Sequence, residues 1–208
     1  MGENKGFKIA AIVALCVAVA GLSVAYAALT QSLNVTTNGS VAGLDTVWKV
    51  RLNAGTCSVV TGNSSSTAAG TITGSDATTV TISGVVLGAP GDKVECTFTA
   101  NNTGSTNASL TSITTAGLDA TATTSGTQTV SWGSGTTAGS AAVNFALLDS
   151  TTSDGTYAAA TASGVTLAKT SGVRYYKVTL QLDSSANALP ATAEALDPIT
   201  TTFVFDQA

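Results

Sequence analysis

The chain has 208 residues, a formal net charge of −4 and no histidine. Charged residues make up 10% of the chain, well below the roughly 25% of ordinary soluble domains. The lack of histidine excludes His-dependent nucleophilic triads and the common His zinc sites, and the acidic body lacks the basic stripe that nucleic-acid binding needs. We therefore expect no nucleic-acid partner.

The predicted elements begin with an apolar stretch over residues 9–29 that follows Lys5 and Lys8. At about 1.5 Å per residue, it is long enough to cross a hydrocarbon core of roughly 30 Å, which predicts a hydrophobic helix that meets the membrane. Ala25 and Ala27 supply the small residues of a signal peptidase site, which leaves Ala28 as the first mature residue. This pattern predicts a signal peptide over 1–27 and an extracellular or cell-surface location.

Two other fates of the helix remain open. Gly6 and Phe7 resemble the processing site of type IV pilins, where cleavage before an aromatic residue leaves a helix that packs in the filament core. The residue five places into that mature chain is Ala11, whereas most such pilins carry a glutamate there. In the other alternative, the whole helix is retained as a membrane anchor for a monomeric surface or adhesin domain.

Residues 28–43 are predicted to form a strand and a linker. The period of two that is typical of a half-buried strand places four residues on one face: Leu29, Gln31, Leu33 and Val35. A strand held only by the linker 38–43 can fold back onto its own domain or pair with a neighbouring copy, because an open sheet edge needs hydrogen-bond partners.

The body, residues 44–208, alternates short strand patterns with Gly, Asn, Ser and Pro, which predicts an all-β domain. The predicted strands are 47–52, 56–61, 79–86, 93–100, 108–114, 128–132, 142–148, 173–182 and 200–206. Their lengths and spacing favour an antiparallel two-sheet sandwich. Loops are predicted at 116–127, 133–139 and 150–155, and a helical turn at 191–196.

Cys16 lies in the apolar stretch, so Cys57 and Cys96 are the pair left in the body. In an exported domain such a pair indicates a disulfide, and the alternative is two buried, reduced thiols. Cys96 shares its strand face with Val94 and Phe98, which predicts that it points into the core.

The acidic residues are dispersed, and most stand beside turn residues, as Asp92, Asp154 and Asp183 do. We expect them to form turns, because neither a facing carboxylate pair nor a dense acidic loop is evident. The sequence therefore predicts no catalytic residue, no metal ligand and no cofactor, and the protein is not expected to be an enzyme.

Three stretches resemble the TasA and camelysin group of secreted surface proteins: "AYAALTQSLNVTTNGSVAG", "VVLGAPGDKVECTFTANNTGSTNASL" and "ITTTFVFDQA". The resemblance implies a two-sheet sandwich of the jelly-roll or immunoglobulin-like type. It also implies that the subunits join by donor-strand exchange. In that scheme, the mature N-terminal strand of one subunit fills a gap in the sheet of the next. Camelysin is associated with protease activity, but this chain has no histidine to carry it.

Together these patterns predict a structural subunit of an extracellular filament, comparable to a pilus or a biofilm fibre. Its partner is itself, in a homopolymer, and the N-terminal helix contacts the membrane before processing. The donor strand is expected to carry Leu29, Gln31, Leu33 and Val35.

Overall fold

The computed structural model describes residues 49–61, 68–74, 78–132, 139–186 and 196–208. Several predictions lie outside the described residues: the N-terminal helix, the domain boundaries after residues 27 and 43, and the strand that follows Ala28. The helical turn predicted at 191–196 also falls outside them, apart from Leu196, which is not helical.

The described residues form eleven strands and no helix. In chain order the strands are β1 (Val50–Thr61), β2 (Ala68–Thr73), β3 (Thr79–Val86), β4 (Lys93–Asn102), β5 (Ala108–Ala116), β6 (Ser125–Trp132), β7 (Gly139–Ser150), β8 (Ala158–Ala159), β9 (Thr166–Leu167), β10 (Gly172–Leu182) and β11 (Ile199–Gln207).

The strands form two antiparallel sheets. Sheet A has the order β1-β4-β10-β7-β6, with the short β8 beside β7, and sheet B has the order β2-β3-β11-β5-β9. Side chains alternate along the strands, and those of β4 are buried at every second position. The predicted fold class, an all-β protein with two antiparallel sheets, is confirmed.

One bulge explains why β1 was predicted as two strands. Its pairing with β4 shifts between Ala54 and Cys57, and Gly55 lies in this shift. A Cβ at Gly55 would collide with the backbone carbonyl of Thr97, so glycine allows the two backbones to approach closely. A glycine followed by a threonine reads as a turn in sequence, although the strand continues through it.

The predicted loop at 116–127 is also corrected, because β6 already begins at Ser125. Likewise Gly139, predicted as the end of a loop, is the first residue of β7, whereas 133–138 lie outside the described residues. The strands β2, β8 and β9 were not predicted. The predicted turn after β7 is present, and Gly155 there donates a backbone hydrogen bond to Thr152.

The core between the sheets is centred on four aromatic rings. Phe98 and Tyr176 of sheet A stack with 5.3 Å between ring centroids, and Phe203 of sheet B lies 4.9 Å from Tyr176. Phe205 stacks on Phe203 at 6.4 Å. Each such pair contributes about 0.5–1.5 kcal/mol beyond its buried area, so this cluster joins the two sheets.

The Cys57–Cys96 disulfide is present and joins β1 to β4. The two residues are direct partners in the register, and their Cα atoms lie 4.0 Å apart. Such a short separation is typical of the narrow, non-hydrogen-bonded pairs of an antiparallel ladder. Cys96 is fully buried, as its place beside Val94 and Phe98 predicted.

Candidate functional site

Most residues predicted to carry function lie outside the described residues. These are the donor-strand residues Leu29, Gln31, Leu33 and Val35, the processing residues Ala25, Ala27 and Ala28, and the alternative processing residues Gly6 and Phe7. The structure therefore shows the disulfide of Cys57 and Cys96 and the surfaces of the body. Across the described part of the chain, no helix is long and apolar enough to span a membrane.

Two acidic residues of the body accept hydrogen bonds that fix turns. Asp92 accepts backbone hydrogen bonds from Gly88 and Ala89, at 3.1 and 2.9 Å, which fixes the turn before β4. Asp183 accepts two hydrogen bonds from Ser185, one from its backbone N–H and one from its hydroxyl, both at 2.8 Å. The backbone bond, followed by the hydroxyl bond, lowers the pKa of Asp183 below its usual range. Both were predicted as turn formers.

Two buried ionisable groups lie near the aromatic cluster. Asp149 is 5% exposed and accepts hydrogen bonds from Nε and Nη2 of Arg174, at 3.0 and 2.8 Å. A buried charge with such a partner is compensated. Burial raises the pKa of the neighbouring Tyr176 far above its usual range, so this phenol remains neutral.

The described ranges contain no group of three His, Cys, Asp or Glu side chains that could hold a metal ion. A shallow, open depression of about 480 Å³ lies between Thr114, the loop 119–123 and the start of β6. Its single acidic residue, Asp119, is already hydrogen bonded to Thr129. The depression therefore offers no pair of groups for acid-base chemistry.

The sheet edges are the features of this body that can recognise a strand, because edge strands present unpaired N–H and C=O groups. The outer edge of β6 is covered by Asp119. Its N–H donates to the carbonyl of Thr127 at 2.8 Å, and its carboxylate accepts from the N–H and the hydroxyl of Thr129, at 2.8 and 2.7 Å. These bonds use backbone groups that a further strand would need.

The side-chain hydrogen bond from Thr129 and then its backbone hydrogen bond lower the pKa of Asp119. Farther along this side, Gln128 donates to the carbonyls of Gly117 and Asp197, which connects the inner face of β6 to the ends of β5 and β11. We call the outer edge of β6, with Asp119 on it, the guarded edge.

The outer edge of β5 is also covered over much of its length. β9 pairs with its first residues, and the N–H of Leu110 donates to Val165 at 2.8 Å. Near its end, Thr115 exchanges two backbone hydrogen bonds with Ala122, at 2.6 and 3.1 Å. This side of the sandwich thus uses loops as substitutes for a further strand.

On the opposite side of the sandwich, the described strands leave part of an edge without a strand neighbour at one end. β3 pairs with β11 from Ile199 to Thr202, and the next bond runs from the N–H of Phe203 to Thr78 at 2.7 Å. Backbone groups of alternate residues point to the same side of a strand, so those of Phe205 and Gln207 also point away from β5. No strand in the described part of the chain pairs with them there.

The outer edge of β1 lies at the same end and on the same side. Val50 pairs with the last residue of β4, and the turn that follows leads to β5, which pairs with the end of β11. The N–H of Ala54 donates to Gly74 at 3.0 Å, so β1 approaches the end of β2 there. By the same alternation, the backbone groups of Val50 and Leu52 point outward.

We call these backbone groups of Phe205, Gln207, Val50 and Leu52 the open flank. Among the described strands, β1 has a neighbour on its β4 side alone. The side chains of Leu52 and Phe205 are buried between the sheets, at 0% and 5% exposure. A strand laid along β11 at this end would lie beside these buried side chains and could pair with the outward backbone groups.

Sequence reasoning expected an open sheet edge but did not assign it to particular strands, and it missed the guarded edge. No sequence pattern indicates the contact between Asp119 and Thr129, because the path of the loop after β5 brings the two residues together. Compared with models of known protein families, with curated proteins and with solved structures, the chain gives no match.

Proposed function

We propose that the protein is the structural subunit of an extracellular filament and that it assembles by donor-strand exchange. The strand that begins at Ala28 in one copy would lie along the open flank of the next copy, in line with β3. The observation that carries the proposal is the open flank itself, where β11 extends past the start of β3.

The predicted donor strand suits this position by its alternation. Leu29, Leu33 and Val35 would point between the sheets, toward Leu52 and Phe205. Gln31 shares that face and would lie between Leu29 and Leu33. The polar residues between them would join the outer face of sheet B. Burial of each large aliphatic side chain contributes about 1.5–3 kcal/mol, which favours occupancy of the flank.

β1 begins at Val50, which belongs to the open flank, and either self-pairing or exchange would supply hydrogen-bond partners for the backbone groups of this flank. Exchange passes the free strand from one copy to the next and propagates a head-to-tail filament. The resemblance to the TasA and camelysin group supports exchange, and the experiment below decides between the two.

The proposal includes several features beyond the described residues. The N-terminal hydrophobic helix acts as a leader that is cleaved after Ala27, the sandwich is completed as a jelly roll, and the filament lies on the cell surface. The Cys57–Cys96 disulfide suits the oxidising environment of an exported protein. We assign the filament no enzymatic activity.

The experiment compares three mature chains by size and by negative-stain microscopy. The chain that starts at Ala28 should form filaments, whereas a chain that starts at Asn38 has no donor strand and should remain monomeric. Gln207→Pro removes a backbone N–H on the open flank and should also block filaments. Gln207 is exposed and at the edge, where proline is tolerated, and Gln207→Ala is the matched control.

Mixing sharpens the test. The chain that starts at Asn38 keeps the acceptor, and Gln207→Pro keeps the donor, so a mixture should give heterodimers and no filaments. Filaments from either variant alone would overturn the proposal. N-terminal sequencing of the assembled material should begin at Ala28; a start at Phe7 would instead indicate the pilin-like core helix, and a start at Met1 or Gly2 an anchored protein.

A further inference from the structure

Three neighbouring strands of sheet B each carry a Thr-x-Thr run whose hydroxyls lie on the outer face. We call this surface the threonine face; it consists of Thr71, Thr73, Thr79, Thr81, Thr200 and Thr202. The residues between them, Ile72, Val80 and Thr201, are buried. The register places the runs side by side, since Thr81 pairs with Thr73 on one side and with Thr200 on the other.

The hydroxyls of this face already have partners within the sheet. The Oγ1 atoms of Thr81 and Thr200 are 3.1 Å apart, and those of Thr79 and Thr202 are 3.3 Å apart. On β2, Thr73 donates to the carbonyl of Thr81 at 3.4 Å. Burial of a polar group costs little when its hydrogen bond is kept. The threonine face can therefore lose its water without leaving these hydroxyls unsatisfied.

Charge distinguishes this face from the other side of the molecule. Within the described strands of sheet B, Asp206, near the end of β11, is the one charged residue. The outer face of sheet A instead carries Arg51, Lys93, Glu95 and Lys177. Because the chain has a net charge of −4, two copies repel each other least where their surfaces carry no charge.

We infer that the threonine face is a lateral docking surface for the same face of a second copy. Threonine hydroxyls donate and accept equally well and their methyl groups are apolar, so the face is complementary to itself, as a two-fold contact requires. The inference rests on the proposed filament, because neighbouring filaments bring many such faces into contact.

The size of the face explains why a polymer is needed. Three strands at about 4.8 Å spacing, over roughly six residues of about 3.3 Å each, cover on the order of 300 Å² per copy. A stable interface buries about 800 Å² per partner, so isolated copies should not dimerise through this face. Repetition of the contact along two filaments raises the effective concentration of each later contact and makes the association stable.

The test supplies the repetition artificially, so that it does not depend on filament formation. Nanoparticles are coated with many copies of the chain that starts at Asn38, which lacks the donor strand, and their clustering is followed by light scattering. Wild-type particles should cluster, whereas the free chain should remain monomeric. Thr81→Lys with Thr200→Lys should raise the protein density needed for clustering at least tenfold.

The matched control is Asn53→Lys with Asn144→Lys, two exposed positions on β1 and β7 of sheet A. Both double variants add two positive charges and reduce the net negative charge equally, so only the location differs. The control should cluster as the wild type does. Thermal unfolding verifies the fold of each variant, and Thr71→Lys with Thr73→Lys, on the edge strand β2, replaces the first pair if that pair does not fold.

Dispersed wild-type particles, or unchanged clustering of the folded threonine variants, would overturn the inference. If the particles bind polysaccharide-coated beads but not one another, the threonine face binds a glycan, and the inference of a docking surface between copies is also overturned. If the particles cluster but the mature chain that starts at Ala28 forms no filaments, the proposed function is refuted and the docking surface is supported.

Discussion

The two sides of the sandwich treat their strand edges differently. On the side of β5 and β6, loops and the carboxylate of Asp119 occupy the backbone groups that a further strand would use. On the side of β1 and β11, the described strands leave such groups without a strand neighbour at one end. In the proposed filament, protection of one edge and exposure of another would give association a direction, which a sandwich with all edges open would lack.

The largest effect is expected from the disulfide that holds β1 on the open side. Cys57→Ala with Cys96→Ala should lower the free energy of unfolding by about 2–4 kcal/mol, because β1 has a strand neighbour on one side only among the described strands. Urea denaturation measures the change. Wild-type protein in a strong reductant is the control and should match the variant; a loss below about 0.5 kcal/mol would mean that the ladder alone holds β1.

A smaller effect is expected from Asp119→Ala at the guarded edge. The substitution frees the N–H of Thr129 on an exposed edge, so we expect slow concentration-dependent association through β6 and little change in unfolding. Sedimentation velocity of the chain that starts at Asn38 separates this association from donor-strand exchange. Asp154→Ala, in the exposed turn after β7, is the matched control. A variant that stays monomeric at high concentration would show that the loop backbone alone guards β6.

The smallest expected effect is a pH dependence of the hydrogen bonds by which Asp119 covers the guarded edge. The hydrogen bonds from Thr129 lower the folded pKa of Asp119 below its ordinary value of 3.8. A carboxyl with a depressed folded pKa contributes stability that is present above the unfolded pKa and is lost as the pH falls through the folded pKa. Association through β6 should therefore appear only below pH 3.8.

NMR titration of the Asp119 carboxyl measures this pKa directly. Thr129→Val removes the hydroxyl donor and should raise the value toward 3.8, whereas Thr111→Val, a hydroxyl on β5 that does not contact Asp119, should leave it unchanged. An Asp119 pKa at or above its ordinary value in the wild type would contradict the assigned hydrogen bonds.

Much of the fold followed from alternation in the sequence. The β4 pattern, with Val94, Cys96 and Phe98 on one face, predicted both a buried strand and an inward cysteine. With two cysteines in the body, only one pairing within it was possible. β2 was missed because its "AAGTIT" has a central glycine and few large apolar residues, and β8 and β9 are too short, at two residues each, to show a period.

The positions of the open flank and of the guarded edge could not be predicted, because they depend on register rather than on pattern. Among the described strands, the open flank arises because β3 begins opposite Thr202 while β11 continues to Gln207. Likewise, the contact between Asp119 and Thr129 depends on how the loop after β5 crosses to β6. Both facts concern the relative lengths of segments that are distant in sequence, and alternation within a single strand contains no information about them.

The position of the disulfide has a mechanical consequence in the proposed filament. Tension along the fibre would enter each subunit through the chain leading into β1 and leave it through the strand held beside β11. The backbone ladder from Val50 to Ala54 would be the first to peel from β4. Peeling would stop at Cys57, because its covalent bond to Cys96 in the buried core resists forces that separate hydrogen-bonded strands. A stretched subunit would therefore lengthen by one short segment and then extend no further.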